Sequence, residues 1–190
     1  MPHEGRSPTT GEATERLTMA QRVARLAQEI ATLEPGPAAA LRRGPQNGAG
    51  AAAFWKLLAR YGPDHELDRD REEGWGALIQ AIAILTPKGR SRDSAPKEPA
   101  HDPLKAMGAA LHDARVSELR LARLLTASQR LRRVLVVRLC RRLAAADQRR
   151  FDLRTLAQFI LYGQDAGRRI ARDYYRAQTV AGRQTELRET

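Results

Sequence analysis

Three arginines, Arg138, Arg141 and Arg142, stand at i, i+3 and i+4 within the stretch Leu131 to Ala146. At 100° per residue a helix puts them on one arc and Leu135, Val136, Leu139, Cys140 and Leu143 on another. Like charges at that spacing repel one another on a lone helix. An anion held against that face would account for them; a plain solvated face is the alternative. The stretch that opens at Asp165 repeats the arrangement. Arg168, Arg169, Arg172 and Arg176 share one arc, with Ile170, Ala171, Tyr174 and Ala177 opposite. A planar guanidinium can grip two phosphate oxygens. Two helices with an apolar seam and an arginine ridge make a surface suited to following a phosphate backbone. Such contacts fix register and carry no base sequence. Tyr175 borders the second ridge, either as a rim residue packed on its own helix or as a stacking platform. Lys88, Arg90 and Arg92 form a basic loop that either closes over a nucleic acid or is plain solvated linker.

Other chemistries lack their residues. His3, His65, His101 and His112 stand at no ligand spacing with one another or with a cysteine, which argues against zinc. His65 with Glu66, Asp68 and Asp70 lacks the glycine-bearing loop of a calcium site and reads as a solvated charge run. Gly44, Gly48 and Gly50 are not followed by the Lys-Ser/Thr of a phosphate loop. Cys140 falls on an apolar arc and reads as a buried structural thiol. Trp55 and Trp75 each sit in an apolar run and are expected as core anchors. No catalytic constellation, metal site or cofactor site can be assembled.

The charge is segregated. Residues 1–102 hold 14 basic and 14 acidic residues, whereas residues 103–190 hold 19 and 8, so the net charge of +11 arises in the second half. Segregation of this kind suits a polyanion partner; the alternative is a basic surface that serves only solubility. Of the 33 cations, 4 are lysine and the rest arginine. A lone cysteine fits a reducing cytoplasm. No apolar run approaches the roughly 20 residues of a membrane span.

The elements that position these residues read as helices throughout. Trp75 to Leu85 is apolar except at Gln80 and is expected as a central core helix, stopped by Thr86-Pro87. Glu15 to Leu33 carries an amphipathic pattern that Glu34-Pro35-Gly36-Pro37 ends. Leu41-Arg42-Arg43 lies in a short segment before a turn cluster. Ala51 to Tyr61 is a second helix, and Asp64 to Glu73 a charged loop or helical turn. The polar stretch 88–102 is expected as a mobile loop. Asp102-Pro103 is expected to open a helix to about Asp113, Ser117 one to about Ala127, and Asp152 one to Tyr162. The helix from Asp165 is expected to end near Gln178, with residues 179–190 frayed and residues 1–14 disordered. The fold class is all-α: a compact multi-helix bundle around the helix at about 75–85.

The order of motifs resembles the CasB family, the small subunit of the type I-E CRISPR surveillance complex Cascade. The matching pieces are Leu41-Arg42-Arg43, Phe54-Trp55-Lys56-Leu57-Leu58, Trp75 to Leu85, Met107-Gly108-Ala109-Ala110-Leu111, Ser117-Glu118-Leu119-Arg120 with Leu124-Leu125, Arg141-Arg142-Leu143, and Arg169-Ile170-Ala171-Arg172-Asp173-Tyr174-Tyr175. They cover residues 38–178; the helix at 15–33 and the loop 88–102 depart from the family pattern. The resemblance implies an all-helical, non-catalytic subunit present as two copies beside other Cascade subunits. It implies that a basic face holds the single-stranded DNA of the R-loop and the guide RNA backbone in antiviral defence. Arg42, Arg43, Arg120, Arg141 and Arg142 stand in matching motifs. Lys88, Arg90, Arg138, Arg168, Arg169, Arg172 and Arg176 are added on face geometry or loop charge.

Two other readings remain. A helical transcription regulator would want Asn, Gln or Ser beside Arg on a recognition helix; Leu131 to Ala146 offers only Arg and apolar groups on its long arcs. A basic helical adaptor would turn the same faces toward an acidic protein.

Overall fold

The computed structural model describes residues 17–44, 51–63, 67–87 and 98–186. Within them the chain forms nine helices and no strand: α1 Met19–Thr32, α2 Pro35–Arg43, α3 Ala51–Tyr61, α4 Arg69–Leu85, α5 Met107–Asp113, α6 Glu118–Thr126, α7 Gln129–Ala145, α8 Leu153–Leu161 and α9 Gln164–Glu186. The all-α bundle expected from the apolar pattern is what the chain adopts.

Helix α4 is the axis. Asp68 caps it by accepting from the Arg71 amide at 2.7 Å, and Asp70 and Glu72 lie in the favourable first turn. From Gly74 to Leu85 every residue except Gln80 is buried. A helix apolar on all sides must be covered on all sides, and α1, α2, α3, α7 and α8 do so. Its lone polar interruption is used: Gln80 Nε2 donates to the Arg42 carbonyl at 3.1 Å, in the last turn of α2.

Helix α1 is part of this body. A capping box between Thr18 and Gln21 starts it, and Val23, Leu26, Ala27 and Ile30 enter the same core as α4 and α8. The helix that departs from the family pattern thus buries its apolar face in that core. Pro35 takes the first position of α2, where its missing N–H costs nothing; the turn that stops α1 also starts α2.

The remaining helices form a second group, in which α9 packs against α5, α6 and α8. Gly108 of α5 lies against the α9 backbone: a Cβ there would stand 2.5 Å from the Tyr174 nitrogen and 2.8 Å from the Asp173 Cβ. Tyr174, buried on α9, donates to the Val116 carbonyl at 2.6 Å and so pins the α5–α6 connection.

Several expectations are corrected. Asp102-Pro103 does not open a helix. Asp102 Oδ1 accepts from the Leu104 amide at 3.0 Å, forming an Asx turn, and α5 begins only at Met107. Residues 98–102, expected within a mobile loop, are docked: the Phe151 amide donates to the Ala100 carbonyl, and the Asp102 amide to the Phe151 carbonyl. Ala100 is fully buried; residues 88–97 lie outside the described residues. Trp55 is 49% exposed, because Phe54 and Leu57 occupy the inward positions of α3; Trp75 is buried as expected. Helix α9 passes Gln178 and continues to Glu186. Nothing after Gln178 compels a stop, since no Pro follows and the single Gly182 is tolerated in a helix at about 1 kcal/mol.

Candidate nucleic-acid interface

The ridge on α7 divides two grooves. Val136, Val137, Cys140 and Leu143 turn that helix inward, which leaves Arg138, Arg141 and Arg142 exposed. Arg141 lines a groove of about 840 Å³ with Arg42, Arg43 and Arg149, over a floor that includes Ala38, Ile84 and Ala144. Arg138 and Arg142 line a slot of about 250 Å³ with Arg120 and Arg123 of α6, over Val116, Leu124, Leu135 and Leu139. Arg141 and Arg142 are neighbours in sequence and serve different grooves, as a 100° step on an exposed helix face allows.

Neither groove has an acidic residue in its lining. Among the described residues, Arg43, Arg120, Arg123, Arg138, Arg141 and Arg142 form no salt bridge, whereas Arg149 pairs with exposed Asp147 at 3.4 Å. Arg142 is partly anchored, donating to the Arg115 carbonyl at 3.2 Å. Arg115 holds φ 52°, a left-handed conformation that turns the chain into α6. Concentrated, unpaired guanidinium groups raise the local positive potential and attract phosphate.

Arg42 differs from the others. It is half-buried, and its Nε donates to the Ala83 carbonyl at 2.8 Å. Burial lowers its pKa, and the charge of nearby Arg149 lowers it further. It lines the larger groove while also closing the end of α4.

The α9 row is a separate feature. Arg168, Arg172 and Arg176 are exposed and Arg169 half-buried, and none of the four lines either groove. Arg172 stands 3.7 Å from Asp173, and Arg176 borders a shallow surface shared with Asp113 and Asp173. Tyr175 is 44% exposed and meets Tyr174 edge to face at 5.3 Å. Lys88 and Arg90 lie outside the described residues. The structure thus brings together Arg42, Arg43 and Arg141 in one groove and Arg120, Arg138 and Arg142 in the other.

Sequence reasoning missed Arg123 and Arg149. Arg123 was available as the i+3 partner of Arg120 on α6. Arg149 lies in the turn after α7, where no periodicity marks it. The adjacent pair Arg132-Arg133 is basic in sequence but turned inward. Arg132 sits 5.1 Å from the Phe159 ring centroid, with its pKa lowered by burial and then by Arg133. Arg133 has a side chain 7% exposed and pairs with Asp70 at 2.8 Å.

No group of three or more metal-ligating side chains occurs among the described residues; His65 and Glu66 lie outside them. Cys140 is fully buried, and burial pushes its thiol up to about 12, so it is no nucleophile in the folded protein. Among the described residues no helix is long and apolar enough to cross a membrane.

Compared with known proteins, residues 37–175 match the family model described as CRISPR-associated protein Cse2. No curated protein and no solved structure matches the chain.

Proposed function

Because the chain belongs to the CRISPR-associated Cse2 family, and is thereby a subunit of a CRISPR Cascade complex, we propose that its two α7 grooves hold nucleic-acid backbone when guide RNA pairs with target DNA. The subunit is non-catalytic and acts in antiviral defence in the cytoplasm. Its ligands are the single-stranded DNA of the R-loop and the guide RNA backbone. A second copy of the chain and the other Cascade subunits extend the path.

One observation carries this reading: eight arginines line two grooves on either side of the exposed face of α7, with no acidic side chain in either lining. Exchange of a DNA duplex for an RNA–DNA heteroduplex is nearly balanced in energy. Modest backbone contacts are therefore enough to tip it, and base readout is unnecessary. The α9 row belongs to the same proposal as a second contact area, and Lys88 and Arg90 are proposed as further contacts.

The test is charge reversal of the ridge in the assembled complex. Arg138→Glu, Arg141→Glu and Arg142→Glu together are expected to abolish R-loop formation on a target duplex while the circular dichroism stays helical. R-loop formation at the wild-type level would reduce the ridge to ordinary surface. Strong preference for one duplex sequence without any guide would instead favour a transcription regulator.

A further inference from the structure

The slot beside α6 has a composition that backbone binding does not require. Phosphate-tracking surfaces need cations; this one also has an apolar floor. Leu135 and Leu139 stand one turn apart on α7 and are half-buried. Val116 and Leu124 close the other side and are buried. Arg120 and Arg123 rise from α6, and Arg138 and Arg142 from α7. An apolar trough thus runs between two pairs of guanidinium groups.

We propose that this slot seats a single extruded nucleobase, with its flanking phosphates held by the four arginines. This rests on the backbone-binding reading above and adds a subsite to it. Size favours one ring system: at about 250 Å³ the slot lies below the roughly 300–1,000 Å³ of pockets that take drug-sized ligands. Charge favours a nucleotide over a neutral apolar group, since none of the four arginines has an ion-pair partner among the described residues. The floor carries no hydrogen-bonding side chain, so any base is accepted by its flat apolar face. Binding of this kind is tolerant of sequence, because every base has such a face.

The seat is preformed. Arg142 is tied to the Arg115 carbonyl, the Val116 amide donates to the Leu111 carbonyl at 3.0 Å, and Tyr174 holds the Val116 carbonyl. A base therefore enters without ordering the walls, which limits the entropic cost of binding.

The test compares two single-stranded oligonucleotides of equal length and charge on the full-length protein. One is oligothymidine and the other has abasic sites throughout. About tenfold tighter binding of oligothymidine is expected, the effect of removing roughly 55 Å² of apolar surface from water. The variant Leu135→Gln, which makes the apolar floor polar, is expected to bring the ratio of the two affinities toward one; since Leu135 lines the slot, that ratio is the readout and not the affinity of either strand. Equal affinity of the wild type for both strands would overturn the seat and leave backbone binding intact. Failure of both strands to bind at low salt would overturn both proposals. An acidic, leucine-bearing peptide that binds the slot while both strands bind equally would assign it to a protein partner instead. The wild-type comparison decides the matter even if the glutamine variant fails to fold.

Discussion

Arg42 Nε donates to the carbonyl of Ala83 at 2.8 Å, the carbonyl that residue 87 would ordinarily serve. In an α-helix the amide of residue i+4 bonds that oxygen, but residue 87 is proline and has no N–H. The guanidinium replaces it, and Nη2 of the same group reaches the Thr86 carbonyl at 3.4 Å. In return, Gln80 of α4 donates to the Arg42 carbonyl. The C-terminal ends of α2 and α4 therefore close each other. Arg42→Leu is expected to lower stability by about 1–3 kcal/mol, the range for a charged hydrogen bond whose partner is left unpaired. Arg43→Ala, with an exposed side chain, should change it by less than about 0.5 kcal/mol. Urea midpoints of the two variants check the contrast.

Arg133 ties α7 to α4. Its Nη1 meets Asp70 Oδ1 at 2.8 Å and Glu73 Oε2 at 3.3 Å. Arg133→Ala is expected to cost about 2–3 kcal/mol by thermal denaturation, from lost packing and a lost tie. Asp70→Asn should cost about 1 kcal/mol or less, because that carboxylate is 58% exposed and solvent screens the pair.

The same pair has a pH signature. Its hydrogen bond from Arg133 holds the Asp70 carboxyl below the ordinary value. A depressed folded pKa contributes stability that is complete above the unfolded value of about 3.9 and is lost as pH falls through the folded value. Stability of the wild type should therefore decline below about pH 4 more steeply than that of Asp70→Asn. Parallel acid titrations of the melting temperature would show it.

Gly108 marks the closest approach of α5 and α9. A Cβ at that position would meet backbone atoms of Ile170 and Tyr174, which cannot rotate away. Gly108→Ala is expected to destabilise by about 1–3 kcal/mol through overpacking, despite the better helix propensity of alanine. Gly182→Ala, with nothing within 4 Å of the new Cβ, should instead stabilise α9 by up to about 1 kcal/mol. Opposite shifts in melting temperature are the expected result.

Much of this architecture was legible from apolar periodicity. The central helix announced itself as a nearly unbroken apolar run, and α3 ran from Ala51 to Tyr61 as the pattern predicts. Trp55 was not legible, because an apolar run does not say which of two neighbouring aromatic residues faces inward; Phe54 does. Asp102-Pro103 carried a helix-start signal, but the Asx turn and the pairing with Phe151 used the same residues first. The Arg138, Arg141 and Arg142 ridge could be seen on one helix. Its division into two grooves could not, because each groove is completed by residues distant in sequence: Arg43 and Arg149 for one, Arg120 and Arg123 for the other. Arg42 shows the opposite limit, since a cation in a basic motif was half committed to capping a helix that proline had left open.

The most direct measurement is the salt dependence of single-stranded DNA binding by the wild type and by the triple variant Arg43→Ala, Arg138→Ala, Arg141→Ala. Each phosphate neutralised on a single strand contributes roughly −0.7 to the slope of log K against log salt. Six engaged arginines give a wild-type slope of about −4, and loss of three should reduce its magnitude by about 2 with the melting temperature unchanged. An identical slope in wild type and variant would contradict the claim that these grooves grip the backbone.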